Sequence, residues 1–278
     1  MIKIYIIIII IAGSLLNYKD LMAQGEQLDS KLTVAGNSIA SRLEKGTEQI
    51  QSNDLSAAMS TFNSILEEDP GNPEANYNVG FIFMRQKQYQ QGIEYLMKAT
   101  ELSPDNITYH VTLANAYEFR QQYSQAITEY EKIVDLAGPG TDEEKNARKK
   151  VDYLKATQYA TAGDVDKALP IFESLAEEYP QDALIKYSLG VAYLFKGDVE
   201  KSKSIFEALV NITPDNPNIY LNLATINERQ GNLVKATDNL RKVIEIAPQG
   251  QAFLEDYANL CYNSAGQSVE FHIPVPLT

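Results

Sequence analysis

The side chains best suited to nucleophilic, acid–base or metal chemistry are few in this chain of 278 residues. They are two histidines, His110 and His272, and one cysteine, Cys261. A zinc site needs Cys and His in close pairs, a few residues apart. None of the three has such a neighbour. A phosphate cradle needs a glycine-rich turn ahead of a helix, and the chain has no such motif. Carboxylates are plentiful, but the runs "LEEDP" and "TDEEK" fall at helix ends and read as solvated faces. A calcium loop would alternate its carboxylates around one turn, and neither run does. His110 falls in a helical stretch and reads as a packing or surface residue. Cys261 has no intrachain partner, so it reads as a small buried apolar residue, with a bridge to another molecule as the alternative. No catalytic group, cofactor or metal is expected.

Charge narrows the partners. Lys+Arg number 24 against 37 Asp+Glu, a formal net charge of −13. No basic stripe stands out from that balance, so nucleic acid is not an expected partner. The chain opens "MIKIYIIIIIIAGSLLNYKDLMAQG". Lys3 precedes an apolar run, Ile4 to Leu16, too short to span a bilayer. The run has the form of a secretory signal peptide, residues 1–23, with cleavage expected after Ala23. Leu21 and the Lys19-Asp20 pair fit that junction poorly, and an uncleaved anchor is the alternative. A periplasmic or secreted bacterial protein is expected.

The elements that position every other side chain are marked by prolines. The stretch "EEDPGNPEANYNVGF" returns as "LSPDNITYHVTLAN", "EYPQDALIKYSLGV" and "ITPDNPNIYLNLAT". Pro70 and Pro104 are 34 residues apart, as are Pro180 and Pro214, and Pro214 and Pro248. Between Pro104 and Pro180 lie two such units and an insert, "TDEEKNAR", at 141–148. The blocks are 39–72, 73–106, 107–140, 149–182, 183–216 and 217–250. Their eighth place holds Gly46, Gly80, Ala114, Ala156, Gly190 and Ala224. Their twentieth holds Ala58, Gly92, Ala126, Ala168, Ser202 and Ala236. A large residue follows at the twenty-fourth: Phe62, Leu96, Tyr130, Phe172, Phe206 or Leu240. Small residues on either side of a turn let two helix backbones approach, and the large one fills the space beside them. Apolar residues at helical spacing, such as Tyr77, Gly80, Phe81 and Met84, mark the first helix of a block. Mid-block turns such as "SNDL", "AGDV" and "QGNL" stop and restart the chain. The closing proline excludes its predecessor from helical geometry.

This pattern resembles the tetratricopeptide repeat family, whose unit is a helix–turn–helix of about 34 residues. Block 73–106, "PEANYNVGFIFMRQKQYQQGIEYLMKATELSPDN", follows the family consensus along its length. The fourth place, often Trp in the family, departs from it, with Arg42, Asn76, His110, Asp152, Lys186 and Tyr220. The resemblance implies an all-α fold: a right-handed α-solenoid of six helix–turn–helix units over 39–250. A polar lead-in, 24–38, would precede it. A capping helix, 251–266, would seal its end, with an extended tail at 267–278. Thr141 and Glu144 form a capping box, so the insert is expected to extend the fourth unit's first helix to about 141–162, with a plain disordered loop as the alternative. Pro170 is expected in the tolerant first turn of a second helix.

The resemblance also implies a function. First helices of the family line a concave groove that takes a peptide segment or helix. Here the lining comprises Tyr77, Phe81, Met84 and Arg85 from the second block, and Asn115 and Phe119 from the third. Tyr153 comes from the fourth, and Tyr187, Val191, Leu194 and Phe195 from the fifth. Asn222 and Arg229 come from the sixth. Phe81, Phe119 and Phe195 stand where the family consensus is more polar. The Lys/Asn pairs with which some members clamp a chaperone's terminal carboxylate are missing from the fifth and ninth places, so that partner is not expected. The expected function is a non-catalytic protein-interaction scaffold of the bacterial cell envelope. The rival is an accessory protein that stacks glycan or cell-wall polymer on its tyrosines, of which there are 17.

Overall fold

The computed structural model describes residues 39–248. The expected signal peptide, lead-in, capping helix and tail lie outside the described residues, as do Cys261 and His272. The described residues fall into two compact units, divided between Ala137 and Gly138. In the first, the helices are α1 (39–51), α2 (Leu55–Glu68), α3 (Pro73–Arg85), α4 (Tyr89–Leu102), α5 (Ile107–Phe119) and α6 (Tyr123–Leu136). In the second they are α7 (Asp142–Thr161), α8 (Val165–Glu178), α9 (Ala183–Lys196), α10 (Val199–Ile212), α11 (Pro217–Arg229) and α12 (Leu233–Ile246). Among the described residues every regular element is helical. Within each unit, a helix packs on its hairpin partner and on the next hairpin, as α7 does on α8 and α8 on α9. The fold is an all-α repeat fold.

The breaks between hairpins follow from proline sterics. Asp69, Ser103, Tyr179, Thr213 and Ala247 each precede a proline and each end a helix. Their ψ angles lie between 66° and 83°, well outside the helical region that a following proline ring disfavours. The restart is immediate because a polar cap stands ready. Asn72 and Asn106 accept the amides of Ala75 and Tyr109, and Asp182 accepts those of Leu184 and Ile185. Pro73 and Pro217 occupy the first helical position, where no N–H is needed. Thr141 caps α7 through the amide of Glu144, whose carboxylate reaches back to Gly140 N at 2.7 Å. The insert is therefore the first turns of α7.

Inside the hairpins one residue takes a left-handed conformation at a fixed place. In the first unit it is Asn53, Lys87 or Gln121; in the second it is Gly163, Gly197 or Gly231. The small residues sit where helices touch. A Cβ on Gly80 would lie 2.8 Å from Leu96 Cγ and 3.0 Å from the Gly92 carbonyl oxygen. A Cβ on Gly190 would meet the Phe206 ring at 3.0 Å. Phe62, Phe172 and Phe206 fill the hairpin interiors. Pro170 departs from expectation. It lies inside α8, one turn beyond the tolerant N-terminal positions, where its missing N–H leaves the Asp166 carbonyl without its helical donor.

Candidate functional site

Four of the expected groove residues converge in the second unit. Tyr153 of α7 and Tyr187, Val191 and Phe195 of α9 line one open cleft of about 560 Å³. Its walls are the two first helices, α7 and α9. Its floor is Phe172 of α8, and its mouth includes Gly163 and Val165 of the intervening turn. Thr157, Ala160, Thr161, Ser188 and Ala192 complete it, and no charged side chain lines it. Phe195 projects with 76% of its surface exposed. The sequence pattern did not single out Thr157 or Val165 as lining. Their signal is positional: a residue at the end of one first helix reaches back over the turn of the preceding hairpin.

The fifth-place tyrosines are tied down rather than free. Tyr153 Oη shares a hydrogen bond with Ser188 Oγ at 3.0 Å. Tyr187 Oη accepts one from Asn222 Nδ2 at 3.0 Å, and Tyr77 Oη meets Thr112 Oγ1 at 3.3 Å. Their rings pack as well, Tyr153 edge-on to Phe172 and Tyr187 edge-on to Phe206. Asn222 is thereby a spacer between helices, and Leu194 packs on the core around Phe206.

The first unit uses its candidates differently. Tyr77 stacks on Tyr109 at 4.6 Å and lies 6.3 Å from Phe81, both between ring centroids. Met84 turns into the hairpin and covers Gly92, so it does not continue a Phe81 surface. Phe119 is 64% exposed, but one face of its ring lies on Tyr89 of α4 at 4.4 Å. Asn115 Oδ1 accepts from Tyr130 Oη at 2.7 Å. Burial, with the Glu118 carboxylate beside it, holds the Tyr130 phenol above its usual range.

Both candidate arginines are engaged within their own unit. Arg85 donates to Asn53 Oδ1 at 2.9 Å, and Arg229 to the Leu194 carbonyl at 3.4 Å. Each bridges to the hairpin before it.

His110 is a structural residue. It is 2% exposed, with Nδ1 2.6 Å from Glu129 Oε2 and Nε2 2.8 Å from the Pro104 carbonyl. A carbonyl only accepts, so Nε2 is the donor to Pro104. Lys132 bonds the other oxygen of Glu129 at 2.9 Å. Asn76, at the same place one block earlier, reaches the Pro70 carbonyl likewise. At this place Asn76 and His110 each latch the preceding turn with a polar side chain. Among the described residues no group of His, Cys, Asp and Glu could hold a metal ion.

Comparisons with known proteins agree with this architecture. The chain is 28% identical over 139 residues to a DnaJ homolog subfamily C member 3 homolog from Dictyostelium discoideum. That match takes in 50% of this chain and 26% of the relative, so the chain spans about a quarter of that relative's length. The C-terminal part of a tetratricopeptide-repeat protein from Cytophaga hutchinsonii is similar in structure, with TM-score 0.59 and 17% identity, over 80% of this chain and 85% of that one. Pseudomonas aeruginosa pilF is similar with TM-score 0.57 and 12% identity, over 81% of this chain and 99% of that one. At these identities the likeness is one of fold. Two sequence models described as tetratricopeptide repeat match, one at 159–226 and the other at 73–106, 107–138 and 217–249. Together they span more than half of the residues, and the chain belongs to the tetratricopeptide-repeat family.

Proposed function

We propose that this protein is a non-catalytic scaffold of the bacterial cell envelope that holds an uncharged, partly aromatic segment of a partner protein against its first helices. Tetratricopeptide repeats generally mediate contacts between proteins. The observation that carries the finer reading is the α7–α9 cleft, lined by Tyr153, Tyr187, Val191 and Phe195 and by no charged side chain. In a chain of net charge −13, an uncharged concavity with an exposed aromatic at its lip is the surface most suited to anchoring a partner. The anchoring helices are held rigid by the tyrosine hydrogen bonds, so little ordering entropy is lost on the scaffold side. Export rests on the signal-like residues 1–23, with the mature chain starting at Gln24.

The test is affinity capture on immobilised protein from the native envelope extract, with wild type and Phe195→Ala in parallel. A protein retained by wild type and lost from Phe195→Ala supports the reading. Retention of cell-wall polymer instead, or equal retention by both forms, overturns it. Intact mass of the native protein tests export: a chain that keeps residues 1–23 contradicts it.

A further inference from the structure

Among the described residues two exposed phenylalanines, Phe119 and Phe195, occupy the same place in their blocks, yet their surroundings differ. Phe119 ends α5 and Phe195 lies at the end of α9. Each reaches back toward the first residue of a second helix in the preceding hairpin. For Phe119 that residue is Tyr89, and the two rings lie 4.4 Å apart. For Phe195 it is Val165, and both line the cleft. A valine in place of a tyrosine removes the ring that would cover the phenylalanine. The cleft and the greater exposure of Phe195, 76% against 64%, are the result. The chain thus contains its own template for what completes the site: an aromatic ring laid on Phe195, as Tyr89 is laid on Phe119. Such a pair is worth about 0.5–1.5 kcal/mol beyond the area it buries.

We infer that the ring is Phe271 of this same molecule, carried by the segment 267–278, "QSVEFHIPVPLT". The inference rests on the cleft described above but not on any external partner. Three observations select this occupant. Residues 249–278 follow Pro248 directly in sequence, two residues after the end of α12, and lie outside the described part. The α9 wall lies three helices from α12, roughly 30 Å at ordinary interhelix spacing. Residues 249–270 reach about 70 Å if extended, and about 40 Å if 251–266 is helical. The chemistry also matches. After Glu270 the segment carries no Asp, Glu, Lys or Arg side chain, and the cleft lining has none either. Finally, Val269, Phe271, Ile273, Val275 and Leu277 alternate, so an extended chain puts them on one face. Pro274 and Pro276 favour that extended form before docking. A cleft of about 560 Å³ takes more than one side chain, so Phe271 and its aliphatic neighbours would enter together.

The test uses the full chain. Benzoylphenylalanine in place of Phe271 keeps an aromatic ring and crosslinks what it touches on irradiation. Crosslinks within one molecule to residues 157–165 or 191–195 support the inference. Crosslinks elsewhere overturn it, and crosslinked dimers overturn it in favour of a second copy as occupant. A labelled synthetic peptide of residues 267–278 supplies the second measurement. A tethered segment faces its site at about millimolar effective concentration, so the Phe271→Ala chain should bind the peptide about tenfold more tightly than wild type. Phe195→Ala should abolish that binding with its helical circular dichroism unchanged. Equal binding by wild type and Phe271→Ala overturns the inference. Partner capture that is lost from Phe195→Ala but unaffected by Phe271→Ala leaves the scaffold reading standing alone.

Discussion

Tyr153 Oη lies 3.0 Å from Ser188 Oγ, 35 residues ahead, and the bond ties the first helix of one block to the first helix of the next. The same offset joins Tyr77 to Thr112 and Tyr187 to Asn222. In each pair the ring packs while the hydroxyl sets the distance between successive first helices. Tyr153 and Ser188 also line the cleft, so its width is set by a hydrogen bond at its own wall. Tyr153→Phe should lower stability by about 1 kcal/mol, the usual net worth of such a bond. Chemical denaturation followed by circular dichroism checks this. An unchanged midpoint would show that the bond does not hold the helices together.

Gly80 and Gly190 differ in what surrounds them. A methyl group on Gly80 meets backbone, the Gly92 carbonyl and Leu96 N, as well as the Leu96 side chain. For Gly190 the three nearest atoms all belong to the side chains of Phe206 and Ile205. Gly80→Ala should therefore cost about 1–3 kcal/mol, the range for overpacking, and Gly190→Ala less. Thermal melts of the two variants give the order, and equal losses would contradict it.

The left-handed turn residues offer a stabilising change. Lys87 and Gln121 have φ near 60° and are exposed, so replacing their side chains loses little packing. A left-handed conformation costs a non-glycine residue about 1–2 kcal/mol, partly offset by the greater freedom of glycine when unfolded. Gln121→Gly should raise stability by about 0.5–1 kcal/mol, and Gly197→Ala should lower it similarly. Denaturation midpoints moving the opposite way would rule this out.

Pro170 is exposed and interrupts the hydrogen bonding of α8. Proline in a helix interior costs about 3 kcal/mol relative to alanine. Pro170→Ala should stabilise the second unit by about 1–3 kcal/mol, with slower amide exchange across α8. Exchange that does not slow would mean that the helix has absorbed the proline without loss.

Asp182 links α9 to pH. Its partial burial raises the carboxyl pKa. The hydrogen bond from Lys149 and the amides of Ile185 and Leu184 outweigh that and hold it below 3.8. A depressed carboxylate contributes stability above its unfolded pKa, and that contribution is lost as pH falls through the folded value. Wild type should thus lose stability below about pH 4, and Asp182→Asn should lose less over that window. Parallel pH slopes for the two proteins would count against this role.

Much of the fold was legible in one dimension. A proline acts on the residue immediately before it, so Asp69, Ser103, Tyr179 and Thr213 announce helix ends from the sequence alone. The capping box at Thr141 and Glu144 announced α7 in the same way. The spacing of small and large residues implied hairpins because it recurs in phase with the prolines. Each of these signals is local or periodic, so a single chain carries it whole.

The site was decided elsewhere. Arg85 and Arg229 share a place in the repeat, yet one bonds a side chain and the other a backbone carbonyl, because the preceding turns differ. Met84 has helical spacing from Phe81 but turns over Gly92, where a missing side chain leaves room. His110 found Glu129, on the second helix of its own hairpin, an acceptor that no linear motif marks. Phe119 and Phe195 are the same residue type at the same place, and the residue one hairpin back decides whether a ring lies against one face or an open cleft does. The sequence by itself determined where helices start and stop, because those choices are made by neighbours along the chain. The tertiary structure alone decided which side chains are spent holding helices together and which remain for a partner, because that depends on what lies across the packed interface.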